Sequence, residues 1–253
     1  MCGFSGFIDN IPNKKNVLES MMDEIIHRGP DESGEYIDEN AALGFRRLSI
    51  IGVSNGLQPL YNEDGSLALV FNGEIYNYQE LREDLIKKGH IFKTETDSEV
   101  LIHLYEDCKT EMVKKLRGMF AFVIWDKNEK TLFAARDHFG IKPFYYTQVE
   151  KDGQKSLIFG SEIKSLLMHP NFKKEVNKHA LKPYLTFQYS VLDETFFKGV
   201  FKLKPGHFMV YKDGKIKIEQ YWDVEFNQEN IDLQESINRI KDAVSESVEV
   251  HSH

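Results

Sequence analysis

Cys2 is the residue of this 253-residue chain whose position most directly suggests chemistry. It follows Met1, and a small second residue permits removal of an initiator methionine, which would place a thiol and a free α-amine on one residue. The pKa of an α-amine is about 7.7 to 8.0 and that of a thiol about 8.5, so the amine could take the thiol proton, directly or through water. The alternative is a cysteine that stands at position 2 by chance.

Polar residues recur downstream between apolar stretches. The segments that contain them are Met1-Cys2-Gly3-Phe4-Ser5-Gly6-Phe7, His27-Arg28-Gly29-Pro30-Asp31, Arg46-Arg47-Leu48-Ser49-Ile50, Phe71-Asn72-Gly73-Glu74-Ile75-Tyr76-Asn77 and Thr96-Asp97-Ser98-Glu99-Val100. Singly, their residues have simpler interpretations. Arg47 alone would be a solvated arginine, Asp97 alone an N-cap before an apolar-periodic segment, and Asn72-Gly73 alone a hairpin turn.

The elements that must position these residues are short strands and amphipathic helices. Apolar or alternating runs predict strands at Gly3 to Ile8, Ala41 to Ile51, Leu67 to Phe71, Met119 to Trp125, Thr131 to Ala135, Ser156 to Phe159 and Gly206 to Tyr211. Helical periodicity falls near residues 15 to 27, 78 to 88 and 97 to 116. Turn pairs at Lys127-Asn128, Asp152-Gly153 and Asp213-Gly214 predict hairpins. We therefore expect an α+β fold, a helix-covered sandwich of largely antiparallel sheets.

Composition narrows the function classes. The chain is 41% apolar and 28% charged, which excludes general disorder, and its 32 basic and 40 acidic residues give a net charge of −8, which disfavours a nucleic-acid partner. No apolar run reaches the length of a membrane span and no leader pattern opens the chain, so a cytoplasmic protein without a membrane partner is expected. Two cysteines cannot build a disulfide framework and lack zinc-site spacing, and no metal site is predicted.

The carboxyl-terminal stretch is predicted to be an appendage. A polar connection, Phe226 to Ile231, precedes a segment from Asp232 in which Leu233, Ile237 and Ile240 recur at helical spacing. The expected organisation is a domain over residues 2–225, followed by a linker and helix over residues 226–253.

In order and spacing, these segments resemble the glutaminase domain of asparagine synthetase (glutamine-hydrolysing), a class II glutamine amidotransferase with the N-terminal nucleophile (Ntn) hydrolase fold. The resemblance covers nearly the whole chain. It continues through Gln58-Pro59-Leu60, Leu116-Arg117-Gly118-Met119-Phe120-Ala121-Phe122, Ala135-Arg136-Asp137, Gly140-Ile141-Lys142-Pro143-Phe144-Tyr145-Tyr146, Gly160-Ser161-Glu162-Ile163-Lys164 and Lys204-Pro205-Gly206-His207. It implies a four-layer αββα sandwich.

The resemblance also implies a reaction and the residues for it. Cys2 would attack the side-chain amide of L-glutamine, release ammonia and leave a glutamyl thioester that water hydrolyses to glutamate. The Asn72 side-chain amide and the Gly73 backbone N–H match the family's oxyanion donors. Arg47 matches the group that holds the α-carboxylate and Asp97 the group that holds the α-ammonium. The remaining glutamine-binding positions match Leu48, Ser49, Ile50, Ile51 and Glu74.

The same resemblance implies partners outside this sequence. The glutaminase needs no cofactor, whereas ATP and Mg would belong to a synthetase domain whose Ser-Gly-Gly-x-Asp-Ser loop this chain lacks. Joined to that domain, the chain would supply ammonia for asparagine synthesis from aspartate, and a homodimer is compatible with the family. Two alternatives stay open: the amidotransferase domain of a related enzyme, such as glutamine phosphoribosylpyrophosphate amidotransferase or glucosamine-6-phosphate synthase, and a non-catalytic regulatory domain. His27 is expected to be structural, and Cys108 buried and inert.

Overall fold

The computed structural model describes residues 2–48, 56–151 and 153–251. Twelve strands are present in that part of the chain: β1 Gly3–Ile8, β2 Glu32–Ile37, β3 Ala41–Arg47, β4 Leu60–Tyr61, β5 Leu67–Ile75, β6 Gly118–Asp126, β7 Thr131–Arg136, β8 Tyr145–Lys151, β9 Gln154–Gly160, β10 Val200–Lys202, β11 His207–Lys212 and β12 Lys215–Gln220. The α-helices there are α1 Lys14–Asp23, α2 Tyr78–Lys87, α3 Glu99–Cys108, α4 Ile163–Leu166, α5 Leu181–Phe187 and α6 Leu233–His251.

The strands form two six-stranded antiparallel sheets. The first has the order β10-β8-β9-β1-β3-β2 and the second the order β12-β11-β7-β6-β5-β4. The three predicted hairpins are present as the pairs β6–β7, β8–β9 and β11–β12. β1 lies inside the first sheet, between β3 and β9, so the amino terminus of the chain enters the fold through a fully paired strand.

Three apolar clusters define the layers. One lies between the sheets and contains Phe4, Phe45 and Trp125. A second joins the outer face of the second sheet to α2 and α3, and a third joins the outer face of the first sheet to α1 and α4. Because central strands such as β1 and β7 alternate their side chains between two buried faces, their residues form nearly continuous apolar runs. The layers are helix, sheet, sheet and helix, which confirms the predicted four-layer αββα sandwich.

Several predicted boundaries are wrong. β5 does not end at Phe71 but continues to Ile75, so Asn72 and Gly73 pair with Ala121 and Phe120 of β6 and are not a hairpin turn. The predicted helices are shorter than expected, because α1 ends at Asp23 and α3 at Cys108, and each is followed closely by a 3₁₀ segment. The bounds of β2, β4, β8, β10 and β12 were not predicted, since these strands are too short, too polar or too exposed to give the apolar signal on which the prediction rests.

The contacts divide the chain into two compact units, Met1–Trp222 and Asp223–His253. The second unit contains α6, in which Arg239 forms ion pairs with Glu229 and Glu235. Among the described residues, no helix is both long and apolar enough to cross a bilayer.

Candidate active site

Strand alternation decides which polar residues face the space between the sheets. In β3, Ala41, Leu43 and Phe45 belong to the inter-sheet cluster, and Arg47 is in phase with them. In β5, Ala68 and Val70 belong to it, and Asn72 is in phase with them. Arg47 and Asn72 are both buried, and each is the polar end of an otherwise apolar row.

Arg46 shows that neighbouring residues on the same strand can have unrelated roles. Its side chain lies on the opposite face of β3, where it donates to the Met22 carbonyl and forms an ion pair with Asp23 on α1. A strand places successive side chains on opposite faces, so the tandem arginines are separated by the thickness of the sheet. Only Arg47 of the two lies toward the inter-sheet layer.

Cys2 lies beside the end of β3. The β1–β3 register pairs Gly3 with Arg46, and continuing it by one residue brings Cys2 opposite Arg47. The Cys2 Sγ atom is 3.4 Å from the backbone nitrogen of Leu48, which donates to it, and 3.6 Å from the carbonyl oxygen of the same residue. The sulfur is therefore held against backbone at the edge of the inter-sheet cluster.

Arg28 fixes the backbone of Cys2. Its Nε atom donates to the Cys2 carbonyl over 2.9 Å, and its Nη1 atom donates to Glu162 over 3.0 Å. His27 contacts the same Glu162 oxygen at 2.9 Å, which agrees with its expected structural role. A Cβ on Gly3 would lie 2.9 Å from the Arg28 side chain, so glycine there makes room for this contact.

A cavity of about 120 Å³ opens beside Cys2. Its walls are formed by Cys2, Phe45, Arg47, Leu48, Gly56, Gln58, Phe71, Gly73, Glu74, Thr96, Asp97 and Ser98. They come from the start of the chain, the end of β3, the segment before β4, β5 and the segment before α3. One arginine and two carboxylates therefore face a thiol across one small space.

Arg47 is oriented by a partner outside the cavity. Its Nη1 atom is 2.5 Å from the Glu32 carboxylate, which lies opposite Arg47 in the β2–β3 register. The Arg47 side chain is 5% exposed and that of Glu32 is 42% exposed. The buried Arg47 guanidinium is thus paired with a carboxylate that is partly exposed to water. The negative charge of Glu32 reduces the free-energy cost of burying the guanidinium.

Asp97 is not the N-cap of α3, because Ser98 occupies that position and the helix begins at Glu99. The Asp97 carboxylate instead accepts a hydrogen bond of 2.8 Å from the backbone nitrogen of Ile75, at the end of β5. Burial raises the pKa of Asp97 to about 6, and the negative charge of Glu74 acts in the same direction. A carboxylate in this state would gain from a cation brought into the cavity.

The side-chain amide of Asn72 is a buried hydrogen-bond donor. Its Nδ2 atom makes no hydrogen bond within the described structure, and a buried amide without a partner is uncommon and costly. Asn72 is not among the residues that form the cavity wall, whereas its neighbour Gly73 is. A Cβ on Gly73 would lie 2.2 Å from the Met119 carbonyl, so the pairing with β6 requires glycine there, whatever the N–H of Gly73 binds.

Part of the site was not anticipated as functional. Gln58 accepts from the backbone nitrogen of Phe71 and donates to its carbonyl, which fixes one wall of the cavity to β5. Thr96 and Ser98 join their hydroxyl groups over 3.0 Å in another wall. Gln58 and Thr96 lie in segments that carried the resemblance, but a sequence gives no sign of which polar side chains converge. The predicted residues Ser49, Ile50 and Ile51 lie outside the described part of the chain.

Lys142 is a further buried cation whose charge interacts with Cys2. Burial lowers the pKa of Lys142, and the charge of Arg28 lowers it further, while Asp137, Glu74 and Cys2 oppose both effects. Its ammonium group is therefore within electrostatic range of Cys2 and Glu74. The Gly-Ile-Lys-Pro segment that contains Lys142 contributed to the family resemblance, but the sequence did not predict that Lys142 would interact with Cys2.

The architecture is the four-layer αββα sandwich of the Ntn type. The structure is similar to that of glutamine phosphoribosylpyrophosphate amidotransferase from B. subtilis, with a TM-score of 0.62 over 87% of this chain and 49% of that one. The two sequences are 20% identical in this comparison, so the similarity concerns the fold.

The chain belongs to the glutamine amidotransferase domain family, whose profile matches residues 1–222. It is 43% identical over 257 aligned residues to asparagine synthetase [glutamine-hydrolyzing] 1 of Bacillus subtilis, which covers 99% of this chain and 40% of the relative. It is also 36% identical over 242 residues to the amidase chry2 of Gibberella zeae, covering 89% of this chain and 35% of that protein. The chain thus spans about 40% of the length of the curated relatives it matches.

The raised pKa of Asp97 predicts a pH-dependent loss of stability. Its folded pKa of about 6 lies above the ordinary value of 3.8, so the unfolded chain releases this proton first, and folding stability falls as the pH rises from about 4 to about 6. Asp97→Asn keeps an acceptor for Ile75 and removes the charge. At pH 8 we expect it to raise the free energy of unfolding by about 1 to 3 kcal/mol, measured by urea denaturation.

Below pH 4 the difference between Asp97→Asn and the unsubstituted chain should disappear, because both side chains are then neutral. Asp64→Asn is the control: hydrogen bonds from Ser66 lower the pKa of Asp64, so its neutralisation should give no gain at pH 8. Equal stability of Asp97→Asn and the unsubstituted chain at pH 8 would contradict the assignment of a strained, buried charge.

Proposed function

We propose that this chain hydrolyses L-glutamine to glutamate and ammonia, with Cys2 as the nucleophile. The observation that carries the proposal is that Cys2, Arg47 and Asp97 line one cavity although they are distant in sequence. Free glutamine presents an α-carboxylate, an α-ammonium and a side-chain amide, and the cavity offers a cation, an anion and a thiol. Membership of the glutamine amidotransferase domain family supports the same substrate.

In the proposed first step, the Cys2 sulfur attacks the side-chain amide carbon of glutamine. After removal of Met1, the α-amine of Cys2 would take the thiol proton and deliver it to the departing nitrogen. The carbon–nitrogen bond breaks, ammonia leaves and a glutamyl thioester remains on Cys2. Water then adds to the thioester carbon and gives a proton to the α-amine, the carbon–sulfur bond breaks, glutamate leaves, and the amine returns the proton to the Cys2 sulfur.

Both tetrahedral intermediates place negative charge on the former amide oxygen. The Asn72 Nδ2 group and the Gly73 N–H are the donors we propose for this oxyanion. The absence of a hydrogen-bond partner for Asn72 Nδ2 within the described structure supports its role, because a preorganised donor must not be occupied by the protein itself. One such donor contributes about 10² to 10³ in turnover.

Each charged end of the substrate would bind a residue of opposite charge in the cavity wall. Arg47, oriented by Glu32, would hold the α-carboxylate through its planar guanidinium. Asp97 would hold the α-ammonium, and the arriving cation would compensate the buried charge that raises the pKa of Asp97. Glu74 adds negative potential on the same side. Glutamate, with an anionic side-chain carboxylate in place of the amide, would bind less well near these acids.

We further propose that the ammonia serves ATP-dependent asparagine synthesis from aspartate when this domain, over residues 2–225, is joined to a synthetase domain. The likeness to asparagine synthetases supports this acceptor. ATP and Mg would be needed there and not at Cys2. Residues 226–253 would then be the connection between the two domains.

Replacing Cys2 tests the nucleophile. Cys2→Ala should lower glutamate release from glutamine by at least about 10⁴-fold, because no other side chain can form the thioester. Cys108→Ala is the matched control, since Cys108 packs against the apolar cluster of the second sheet, α2 and α3 and lies outside the cavity wall. Its turnover should be retained. Cys108 is half-buried, not buried as predicted, because it is the last residue of α3.

Intact-mass spectrometry completes the test of Cys2. Active protein should lack Met1, and acid quenching during turnover should trap a species heavier by one glutamyl group in the unsubstituted chain and not in Cys2→Ala. Unchanged turnover in Cys2→Ala, or full activity with Met1 retained, would overturn the proposed mechanism.

The tandem arginines allow a matched test of substrate binding. Arg47→Lys keeps the charge but loses the planar pair of donors, so we expect the KM for glutamine to rise by roughly 10- to 100-fold. Arg46→Lys makes the same change on the opposite face of β3, where the side chain contacts α1. Steady-state kinetics should show a KM close to that of the unsubstituted chain for Arg46→Lys; equal effects at both positions would contradict the assignment.

The acceptor is tested with the full-length gene product. Supplied with glutamine, aspartate, ATP and Mg, it should form asparagine, while residues 1–253 alone should form only glutamate and ammonia under the same conditions. Product analysis by chromatography distinguishes these outcomes. Transfer of the amide nitrogen to an acceptor other than aspartate would leave the glutaminase proposal intact and refute the proposal that aspartate is the acceptor. The similarity to an amidase is a reason to test for this outcome.

A further inference from the structure

A second cluster of ionisable side chains lies away from Cys2. It consists of Glu63, His90, His103 and Glu106, and one nitrogen or oxygen atom from each lies within 4.8 Å of the others. None of the four belongs to the cavity wall described above. The proposed reaction uses none of them, so the cluster needs its own explanation.

The four residues come from three separate segments. Glu63 lies between β4 and β5, and His90 lies in the connection from α2 to α3. His103 and Glu106 are both on α3, three residues apart and therefore on the same face of that helix. Long-range packing thus places two imidazoles and two carboxylates around one point.

Four of the six distances between these atoms are close to those of a tetrahedral metal site, and the other two are within 4.8 Å. His90 Nδ1 is 3.7 Å from Glu63 Oε1 and 3.6 Å from Glu106 Oε2. His103 Nδ1 is 3.6 Å from Glu63 Oε1 and 3.2 Å from Glu106 Oε2. Zinc bonds to nitrogen and oxygen are about 2.0 to 2.2 Å, which in a tetrahedron separates neighbouring ligand atoms by roughly 3.3 to 3.6 Å.

Neighbouring polar residues orient His90, His103 and Glu106 so that one atom of each is directed at the centre of the cluster. His90 Nε2 lies 3.0 Å from Asp107 Oδ1, so a proton on Nε2 would leave the Nδ1 lone pair directed at the cluster. His103 Nε2 lies 3.7 Å from Glu99 Oε1 on the side away from the cluster. Asn62 donates to Glu106 Oε1 over 2.9 Å, which leaves Oε2 of that carboxylate for the centre.

We infer that Glu63, His90, His103 and Glu106 form a structural site for one zinc ion. Two neutral imidazoles and two carboxylates would supply two negative charges, which balance a divalent cation. Imidazole nitrogen suits zinc better than magnesium or calcium, which prefer oxygen ligands alone. The bound ion would fasten α3 to the β4–β5 turn and to the α2–α3 connection.

The site would also support the cavity indirectly. Glu99, beside His103, accepts hydrogen bonds from the backbone nitrogens of Lys93 and Thr94. The Thr94 hydroxyl lies 2.8 Å from that of Thr96, which forms part of the cavity wall. A zinc ion that fixes α3 would therefore fix the segment carrying Thr96 and Asp97.

The test is zinc binding by chelator-treated protein in a Cys2→Ala background, which removes the nucleophilic thiol as a competing ligand. Isothermal titration with zinc should show one ion per chain, and saturating zinc at about 100 times its Kd should raise the melting temperature by about 5 to 10 °C. Magnesium at the same concentration should do neither. Cobalt in place of zinc should give the visible absorption of a four-coordinate site.

Substitutions locate the binding. His90→Asn and Glu106→Gln should each weaken zinc binding by more than 100-fold, and Asp107→Asn, which acts through His90, by about 10- to 100-fold. His207→Asn is the control, because His207 lies outside the cluster and contacts only the Pro205 carbonyl in the hydrogen bonds described. It should keep the affinity unchanged.

His103 is almost fully buried, so His103→Asn could fail to fold; circular dichroism checks this, and His90 and Glu106, which are more exposed, give independent variants. The alternative is an ion-pair cluster in which a proton on His103 balances the carboxylates. Absence of stoichiometric zinc binding, or equal affinity in His90→Asn, Glu106→Gln and His207→Asn, would overturn the zinc site in favour of that cluster.

Discussion

The structure depends on the burial of opposite charges at one end of an apolar layer. The space between the sheets is filled by side chains such as Phe4, Phe45 and Trp125, and it becomes polar where Arg47 and Asn72 continue the inward-facing rows of β3 and β5. Burying such groups costs free energy unless each has a partner. Glu32 compensates Arg47, whereas the Asp97 carboxylate accepts backbone hydrogen bonds, the one from Ile75 among them, that do not offset its burial and the adverse charge of Glu74.

The poorly compensated charge of Asp97 connects the stability of the fold to the proposed activity. A carboxylate whose pKa is raised to about 6 destabilises the empty cavity at neutral pH and would be stabilised by an ammonium group. The Asn72 Nδ2 group, which has no hydrogen-bond partner in the described part of the chain, is a second unfavourable feature. Strain of this type is tolerated because the sheets, the Arg28–Glu162 pair and the helices fix the site from several sides.

The segment before α3 links the cavity beside Cys2 to the cluster of Glu63, His90, His103 and Glu106. Asp97 and Thr96 precede the helix, Glu99 begins it, and His103 and Glu106 lie further along it. The proposed substrate-binding carboxylate would therefore stand just before the helix, and two of the inferred metal ligands would lie on its second and third turns. Fixing one end of a short helix restricts the other, which is how the inferred zinc ion would act on the cavity without touching glutamine.

The sequence by itself determined the α+β class, the antiparallel hairpins and the resemblance that assigned roles to Cys2, Arg47, Asn72, Gly73 and Asp97, because periodicity, turn residues and ordered motifs are local properties of a chain. It did not determine that Asn72 and Gly73 lie inside a strand, nor that Asp97 binds Ile75 instead of capping α3. Tertiary structure alone decided that Glu32 is the partner of Arg47, that the charge of Lys142 interacts with Cys2, and that Glu63, His90, His103 and Glu106 meet. Each depends on sheet register and helix packing across many residues, and such contacts leave no mark in local sequence.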